Sequence, residues 1–323
     1  MTGLPAWLGV ALDRKLDHVS RADLRARALA QSEAYRAGGA SDIVRSDADA
    51  LAYAVVRMPA TFAAVRAALS WTAEIVPDFA PRSLIDLGAG PGTATWAALE
   101  AWPSLRDARL IDRNAPLLAL ARRLYDAGAP RALSLAAQAG DVAARADAPP
   151  ADVVLASYAF TELVPAALPA ALAQAWRLSE KLLVIVEPGT ASGFRRILQC
   201  RGLLLGQGAA ILAPCSHESA CPLADDARWC HFGVRLPRTR DHLLSKGASV
   251  PFEDEKFVYL AAAKGLGAVA RGSRVLATPK VGKTGVTLTL CAPDAVEERT
   301  IARREKNAYV AAKRLGWGDA LPE

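Results

Sequence analysis

Two sets of residues in this 323-residue chain have the types and spacing that do chemistry. The first is Asp86-Leu87-Gly88-Ala89-Gly90-Pro91-Gly92, a carboxylate followed after one spacer by three alternating glycines. Glycines let the backbone turn tightly and let a ligand approach with no Cβ in the way. The second set is Cys215, Cys221 and Cys230, three thiols within 16 residues, with Cys291 farther on. Clustered thiols in a reducing compartment hold metals or do catalysis, and five cysteines is an odd count for a disulfide framework.

The elements around the glycine loop must place it. From Pro81 onward short apolar runs alternate with Ala-rich helical stretches. Ser83–Leu87, Ala108–Ile111, Ala132–Leu135, Asp152–Ala156 and Lys181–Val186 read as strands, a rhythm that predicts a mostly parallel, doubly wound α/β sheet. The loop then follows a strand and precedes a helix over Thr93–Ala101. A dinucleotide fingerprint would need a third glycine where Thr93 stands, and a pyrophosphate would be repelled by Asp86. A ligand carrying an ammonium and a sulfonium would be attracted instead. The acid, spacer and glycines resemble the loop of class I S-adenosylmethionine methyltransferases. That resemblance implies S-adenosylmethionine as cofactor, held by Asp86, Gly88, Gly90 and Gly92. Asp112, at the end of the second strand, is placed to accept ribose hydroxyls. Asp141 is placed beside the adenine, and Ser157 at the edge of a methyl-transfer pocket. Both acids also suit ordinary turns. After the fourth strand the run is Ser157-Tyr158-Ala159-Phe160, without the polar–proline clamp of amino-methylating enzymes, and no residue is identified as catalytic.

Residues 1–80 read as a helical cap, with Pro59 opening a helix. The methyltransferase-like domain is expected over 81–190 and 256–291, an antiparallel last strand included, with Phe257–Leu260 and Val286–Leu290 as its final strands. Between them, 191–255 reads as a Cys-rich insertion, and 292–323 as a basic C-terminal helix, about Val296 to Leu315, and tail. The cysteine spacing matches neither a zinc ribbon nor a bacterial ferredoxin. Zinc with a mixed Cys/His set (His217 and His231 as candidates), an iron–sulfur cluster and unligated thiols therefore all stay open. Cys200 lies on a helical pattern and is expected to be a buried small hydrophobe.

Composition is that of a water-soluble chain, 52% hydrophobic and 22% charged, with no apolar run near the ~18 residues of a membrane span. The segment from Met1 to Val10 lacks a basic leader, so a cytoplasmic monomer away from membranes is expected. Charge is concentrated at one end. Lys264 to Arg314 holds eleven basic residues against four acids, a surplus of seven that exceeds the +6 of the whole chain. Such a stretch suits phosphate contacts.

Several segments together resemble one family. They are Arg57-Met58-Pro59-Ala60-Thr61, the glycine loop, Val186-Glu187-Pro188-Gly189-Thr190, Ala213-Pro214-Cys215-Ser216-His217, Cys221-Pro222-Leu223, Trp229-Cys230-His231-Phe232 and Gly316-Trp317-Gly318-Asp319. The chain is similar, from about residue 30 onward, to the Rsm-type, methyltransferase-like ribosomal small-subunit assembly factors best known from mitochondria. The resemblance implies a 4Fe–4S cluster on Cys215, Cys221, Cys230 and Cys291, and the ribosomal small subunit and its rRNA as partners. It leaves open an active methyltransferase acting on rRNA or a ribosomal protein. A small-molecule methyltransferase with a structural zinc is the remaining alternative. Ser216-His217 stands where the family often has Pro-His, which leaves the four cysteines in place.

Overall fold

The computed structural model describes residues 3–36, 39, 41–129, 133–144, 147–267 and 272–321. The N-terminal part is helical, as expected: α1 (Ala6–Leu16), α2 (Arg21–Arg36), α3 (Asp47–Val56) and α4 (Met58–Ile75). Ser46 caps α3 by accepting from the Asp49 amide, and Pro59 occupies the first turn of α4, where its missing N–H costs nothing. The chain then alternates through β1 (Ser83–Leu87), α5 (Thr93–Ala101), β2 (Asp107–Asp112), α6 (Ala115–Asp126), β3 (Ser134–Ala139), β4 (Ala151–Ser157), α7 (Leu168–Leu178) and β5 (Ser179–Pro188). Next come α8 (Ala191–Leu205), β6 (Ala210–Ala213), β7 (Phe232–Pro237), α9 (Arg240–Lys246) and β8 (Phe252–Ala263). The expected third strand began at Ala132, which lies outside the described residues.

The main sheet runs β3-β2-β1-β4-β5-β8-β6, with β7 pairing along the first half of β8. The first five of these are mutually parallel, and β8 runs antiparallel to both β5 and β6. Its central strands are buried on both faces, which is why they read as unbroken apolar runs. Leu84, Val153, Leu155, Leu182 and Val184 face one core with α4, α5 and α6. Ile85, Val154, Ala156, Leu183 and Ile185 face the other with α7 and α8. Among the described residues no single helix is long and apolar enough to cross a membrane.

Three expectations are corrected. Residues 191–255 are not a separate insertion: α8 buries Phe194, Ile197, Cys200 and Leu204 against the sheet, and β6 and β7 join it. The longest stretch of 191–255 without helix or strand is the one between β6 and β7, which holds three of the cysteines. Second, Val286–Leu290 does not belong to the main sheet. It lies in β11 (Gly285–Cys291) of a small antiparallel sheet with β9 (Ser273–Val275), β10 (Lys280–Val281), β12 (Val296–Ala302) and β13 (Ala320–Leu321). The long basic helix is also shorter than expected. Its first part is β12, paired with β11 from Gly285↔Ala302 to Cys291↔Val296, and only α10 (Lys306–Arg314) is helical. Cross-strand partners outweigh the helix propensity of Glu and Arg here, with Thr287 and Thr300 hydroxyls 2.9 Å apart.

The small sheet has its own core of Val275, Val286, Leu288, Leu290, Ile301, Ala312 and Leu321. It is tied back to α4 at Gly318. There φ is +100° and an added Cβ would stand 2.2 Å from the Trp71 ring. Trp71 itself packs on Phe232, Phe257 and Tyr259, and donates its indole N–H to Asp319 Oδ1 at 3.2 Å. We expect Gly318→Ala to destabilise the protein by about 2 kcal/mol or more, through left-handed strain and overpacking, measured by thermal unfolding. Unchanged stability would show that the small sheet is not anchored at this point.

Candidate functional site: a cofactor-type cavity and a four-cysteine cluster

At the carboxyl ends of β1 and β4, where strand order reverses, lies a cavity of about 740 Å³ including its open mouth. Asp86, Gly88, Gly90, Asp112, Asp141 and Ser157 all line it. Gly92 does not. It sits left-handed (φ 79°) before α5, and a Cβ there would meet the Trp96 indole at 2.7 Å, so its part is to turn the chain. Gly88 does shape the cavity, because at φ 69° a Cβ would press on Ala159 at 2.5 Å. An opening that a methyl group would fill is kept clear.

The acids are held in different ways. Asp86 is fully buried, and one oxygen accepts from the Thr95 amide at 3.0 Å and the Thr95 hydroxyl at 2.8 Å. Its other oxygen, Oδ1, is buried with no hydrogen-bond partner among the described residues. Burial pushes the Asp86 carboxyl up to about 7, against the pull of Thr95. Asp112 accepts from the Gly90 amide and from the Asn114 amide, each at 2.7 Å, and burial also raises it. Asp141 is exposed at the rim and accepts from the Ala143 amide at 2.7 Å. The Ser157 hydroxyl is buried without a partner among the described residues.

One lining residue, Glu162, carried no periodic or motif signal, whereas Tyr158, Arg57 and Glu187 belong to segments already singled out, and of these three only Tyr158 lines the cavity. Glu162 closes one wall, accepting from the Ser41 amide (3.2 Å), the Ser41 hydroxyl (2.9 Å) and Arg113 (3.3 Å). Tyr158 takes a left-handed φ of 55° and donates its hydroxyl to Glu255 Oε1 at 2.7 Å. Arg57 lies over the Tyr35 ring at 5.6 Å, near Tyr53, Tyr158 and Glu255. Glu187, at the end of β5, is buried against Arg196 at 2.7 Å and pushed up to about 7 by burial.

The four expected cysteines come together from distant stretches. Cys215, Cys221 and Cys230 lie between β6 and β7, and Cys291 closes β11. Burial, then the neighbouring thiols Cys215, Cys291 and Cys221, hold Cys230 well above the usual thiol range, and Cys291 is pushed up to about 12. Unlike these, Cys200 is packed in the core on α8, as a small hydrophobe. His217 Nε2 is 3.9 Å from Cys291 Sγ, whereas the His231 ring packs between Trp229 and Trp317. Among the described residues no three His, Cys, Asp or Glu side chains converge as a single-ion site. Two arginines frame the thiols. Arg201 bonds the carbonyls of His217 (3.0 Å) and Ser219 (2.8 Å), and Arg274 that of Pro214 (2.9 Å).

A parallel sheet of order 3-2-1-4-5, extended by an antiparallel strand and one more, with a glycine loop after β1, is the class I methyltransferase fold. The chain belongs to the Rsm22 family, described as mitochondrial small ribosomal subunit Rsm22, whose model matches residues 47–322. It is 28% identical to the human ribosome assembly protein METTL17, mitochondrial, over 96% of this chain and 73% of that protein. It is 24% identical to the Rsm22-cox11 tandem protein 2, mitochondrial, of Schizosaccharomyces pombe, over 86% of this chain and 43% of the tandem protein, so it spans less than half of that relative. Among solved structures, it resembles magnesium protoporphyrin IX methyltransferase from Synechocystis at 11% identity and a TM-score of 0.39, covering 73% of this chain and 94% of that one.

Because Asp86 sits near 7 when folded and about 3.9 when unfolded, the folded chain holds a proton that the unfolded one has lost between those values. Its contribution to stability is therefore present below about pH 4 and lost as pH rises to about 7. Denaturant unfolding should show the Asp86→Asn variant gaining on the wild type by at least about 1 kcal/mol between pH 4 and 7, then running parallel. A difference independent of pH would mean that the carboxyl is ionised throughout.

Proposed function

We propose that this protein is an assembly factor of the ribosomal small subunit that binds its rRNA. In this reading it holds S-adenosylmethionine in the methyltransferase-like fold and a 4Fe–4S cluster on Cys215, Cys221, Cys230 and Cys291. The observation that carries the proposal is family membership over residues 47–322, joined to the assembly role printed in the name of the human relative. A cytoplasmic setting, where thiols stay reduced, suits these buried and half-buried free cysteines.

The cofactor reading is supported by Asp86 Oδ1, a buried carboxylate oxygen awaiting a donor, which a cationic ligand would satisfy. Asp112 keeps lone pairs free beyond its two amide bonds, and these can take ribose hydroxyls. S-adenosylmethionine, when bound, supplies an electrophilic methyl group. What the chain supplies is the cavity and its carboxylates. The segment after β4 carries no polar–proline clamp to orient an acceptor nitrogen, which favours the assembly role over an active methyltransferase on rRNA or a ribosomal protein.

The small C-terminal sheet supports the rRNA reading. Lys264 and Arg274 are spent internally, on the carbonyls of Trp176, Ser179, Pro214 and Gly318. Lys280 and Arg299 pair with Glu298 and Glu297, and Arg271 lies outside the described residues. Lys283, Arg304, Lys306, Lys313 and Arg314 are exposed without an ion pair among the described residues, and so stand ready for phosphates.

We expect the protein to co-sediment with immature small subunits at low salt, and binding to fall steeply with salt. Replacing Arg304, Lys306 and Lys313 together by Gln should flatten the salt slope by about two to three. Absence of binding at low salt would sink the assembly reading. Titration calorimetry should show S-adenosylmethionine binding that weakens about tenfold or more in Asp86→Asn, by loss of a charged hydrogen bond. Wild-type protein that gives no heat with S-adenosylmethionine at several temperatures, and no protection from unfolding, would leave the fold without that cofactor.

A further inference from the structure

Arg201 and Arg274 are 5% and 3% exposed, and among the described residues neither has a carboxylate within ion-pair distance. Both hold the cysteine loop through backbone carbonyls: Arg201 from α8 to His217 and Ser219, Arg274 from β9 to Pro214, with a further bond to Gly318 at 2.8 Å. Carbonyls are dipoles and do not neutralise a cation. A buried guanidinium left with dipoles alone is costly, and a pair of them at one place is more so. Glu74 feels Arg274 only through space. The Nε of Arg201 has no hydrogen-bond partner among the described residues. What the two cations hold is the backbone next to the thiols: Arg201 bonds the carbonyls of His217 and Ser219, each two residues from a cysteine, and Arg274 that of Pro214, which adjoins Cys215.

We infer that Arg201 and Arg274 are the counter-cations of an anionic four-thiolate metal centre, one guanidinium for each of its two net negative charges. The inference rests on the four-cysteine reading of the site. Four thiolates around a dipositive core leave two negative charges, whether the core is a 4Fe–4S unit or a zinc ion, and two guanidiniums bring the buried assembly to neutrality. Without the arginines the centre would be a buried dianion. Without the centre the arginines are two buried cations. Each group makes the burial of the other affordable. Reduction of a cluster adds one more negative charge, which the guanidiniums favour, so they also hold its midpoint potential up.

The test uses full-length, anaerobically purified protein: wild type, Arg201→Gln, Arg274→Gln and Arg201→Lys. Iron, acid-labile sulfide and zinc are measured, then chelator resistance and, for iron-bearing protein, the midpoint potential by optical titration. The Gln variants keep a hydrogen-bonding amide but lose the charge, and circular dichroism confirms that they fold. We expect each to have a lower midpoint potential and to lose metal to chelator roughly tenfold faster, as when a supporting partner of a metal site is removed. Arg201→Lys should recover both. Folded Gln variants with wild-type potential and chelator resistance would overturn the counter-cation role while leaving the cluster standing. Wild-type protein with one zinc and no sulfide would overturn the iron–sulfur reading alone, and the chelator comparison would then decide the arginines' part. Wild-type protein that holds neither metal overturns both.

Discussion

A single buried carboxylate, that of Asp112, joins the parts on which the cavity depends. One oxygen accepts the Gly90 amide and the other the Asn114 amide, each at 2.7 Å. The first bond fixes the glycine loop. The second sets the start of α6, where the Asn114 side chain caps the helix by accepting from Leu117. The same side chain donates to the carbonyls of Ser41 and Val44, so the N-terminal helical layer is docked over the cavity. Ser41 in turn meets Glu162 on the opposite wall. Floor, lid and wall are thus fixed through one acid that stays buried because its charge is met by backbone amides.

A second junction governs the C-terminal third. The small sheet meets the main domain where Trp71 fills the space beside Gly318, where Arg274 spans Pro214 and Gly318, and where the Trp317 indole donates to the His231 carbonyl at 2.9 Å. Cys291, at the end of β11, stands at this junction with Ser216 directed at its carbonyl. The basic residues beyond it therefore have an orientation relative to the cavity that is set by the cysteine loop. A surface of exposed, unpaired basic side chains and the loop that carries three of the cysteines are one mechanical unit.

How much of this was legible in the residues follows from what each element does. β1, β4 and β5 are buried on both faces, so their apolar runs announce them, and the strand rhythm places Asp86 near the end of β1, Asp112 at the end of β2 and Asp141 just past β3. β12 was not legible: Val296-Glu297-Glu298-Arg299-Thr300-Ile301-Ala302 has one exposed, charged face and good helix formers, and only its partner β11 makes it a strand. α8 was legible only around Cys200, as a helical pattern, and its place in the core was hidden because its apolar stripe is interrupted by Arg195, Arg196 and Arg201. Arg196 and Arg201 prove to be structural cations, held to Glu187 and to the cysteine loop. Arginine in a helical pattern reads as surface, and burial of the guanidinium is a tertiary fact. Gly92 was misjudged for a related reason, since a glycine in a ligand loop can serve the turn rather than the ligand.

The concentration of raised carboxyls around the cavity also explains how such a fold can be retained without an acceptor clamp. Asp86 and Glu187 both sit near 7, each held up chiefly by burial. A cation bound against Asp86 would relieve the cost of ionising it, so ligand binding and folding are coupled through that group. Any ligand that binds only the folded chain stabilises it in proportion to the logarithm of its concentration over its dissociation constant. Because Asp112 links the cavity to the helical layer, that stabilisation is felt by the whole upper surface of the domain. In such a fold a cavity can be kept as a folding partner for the domain around it. The geometry that this needs is the one observed: an acidic cavity with an open mouth, with Asp86 and Asp112 buried in its wall.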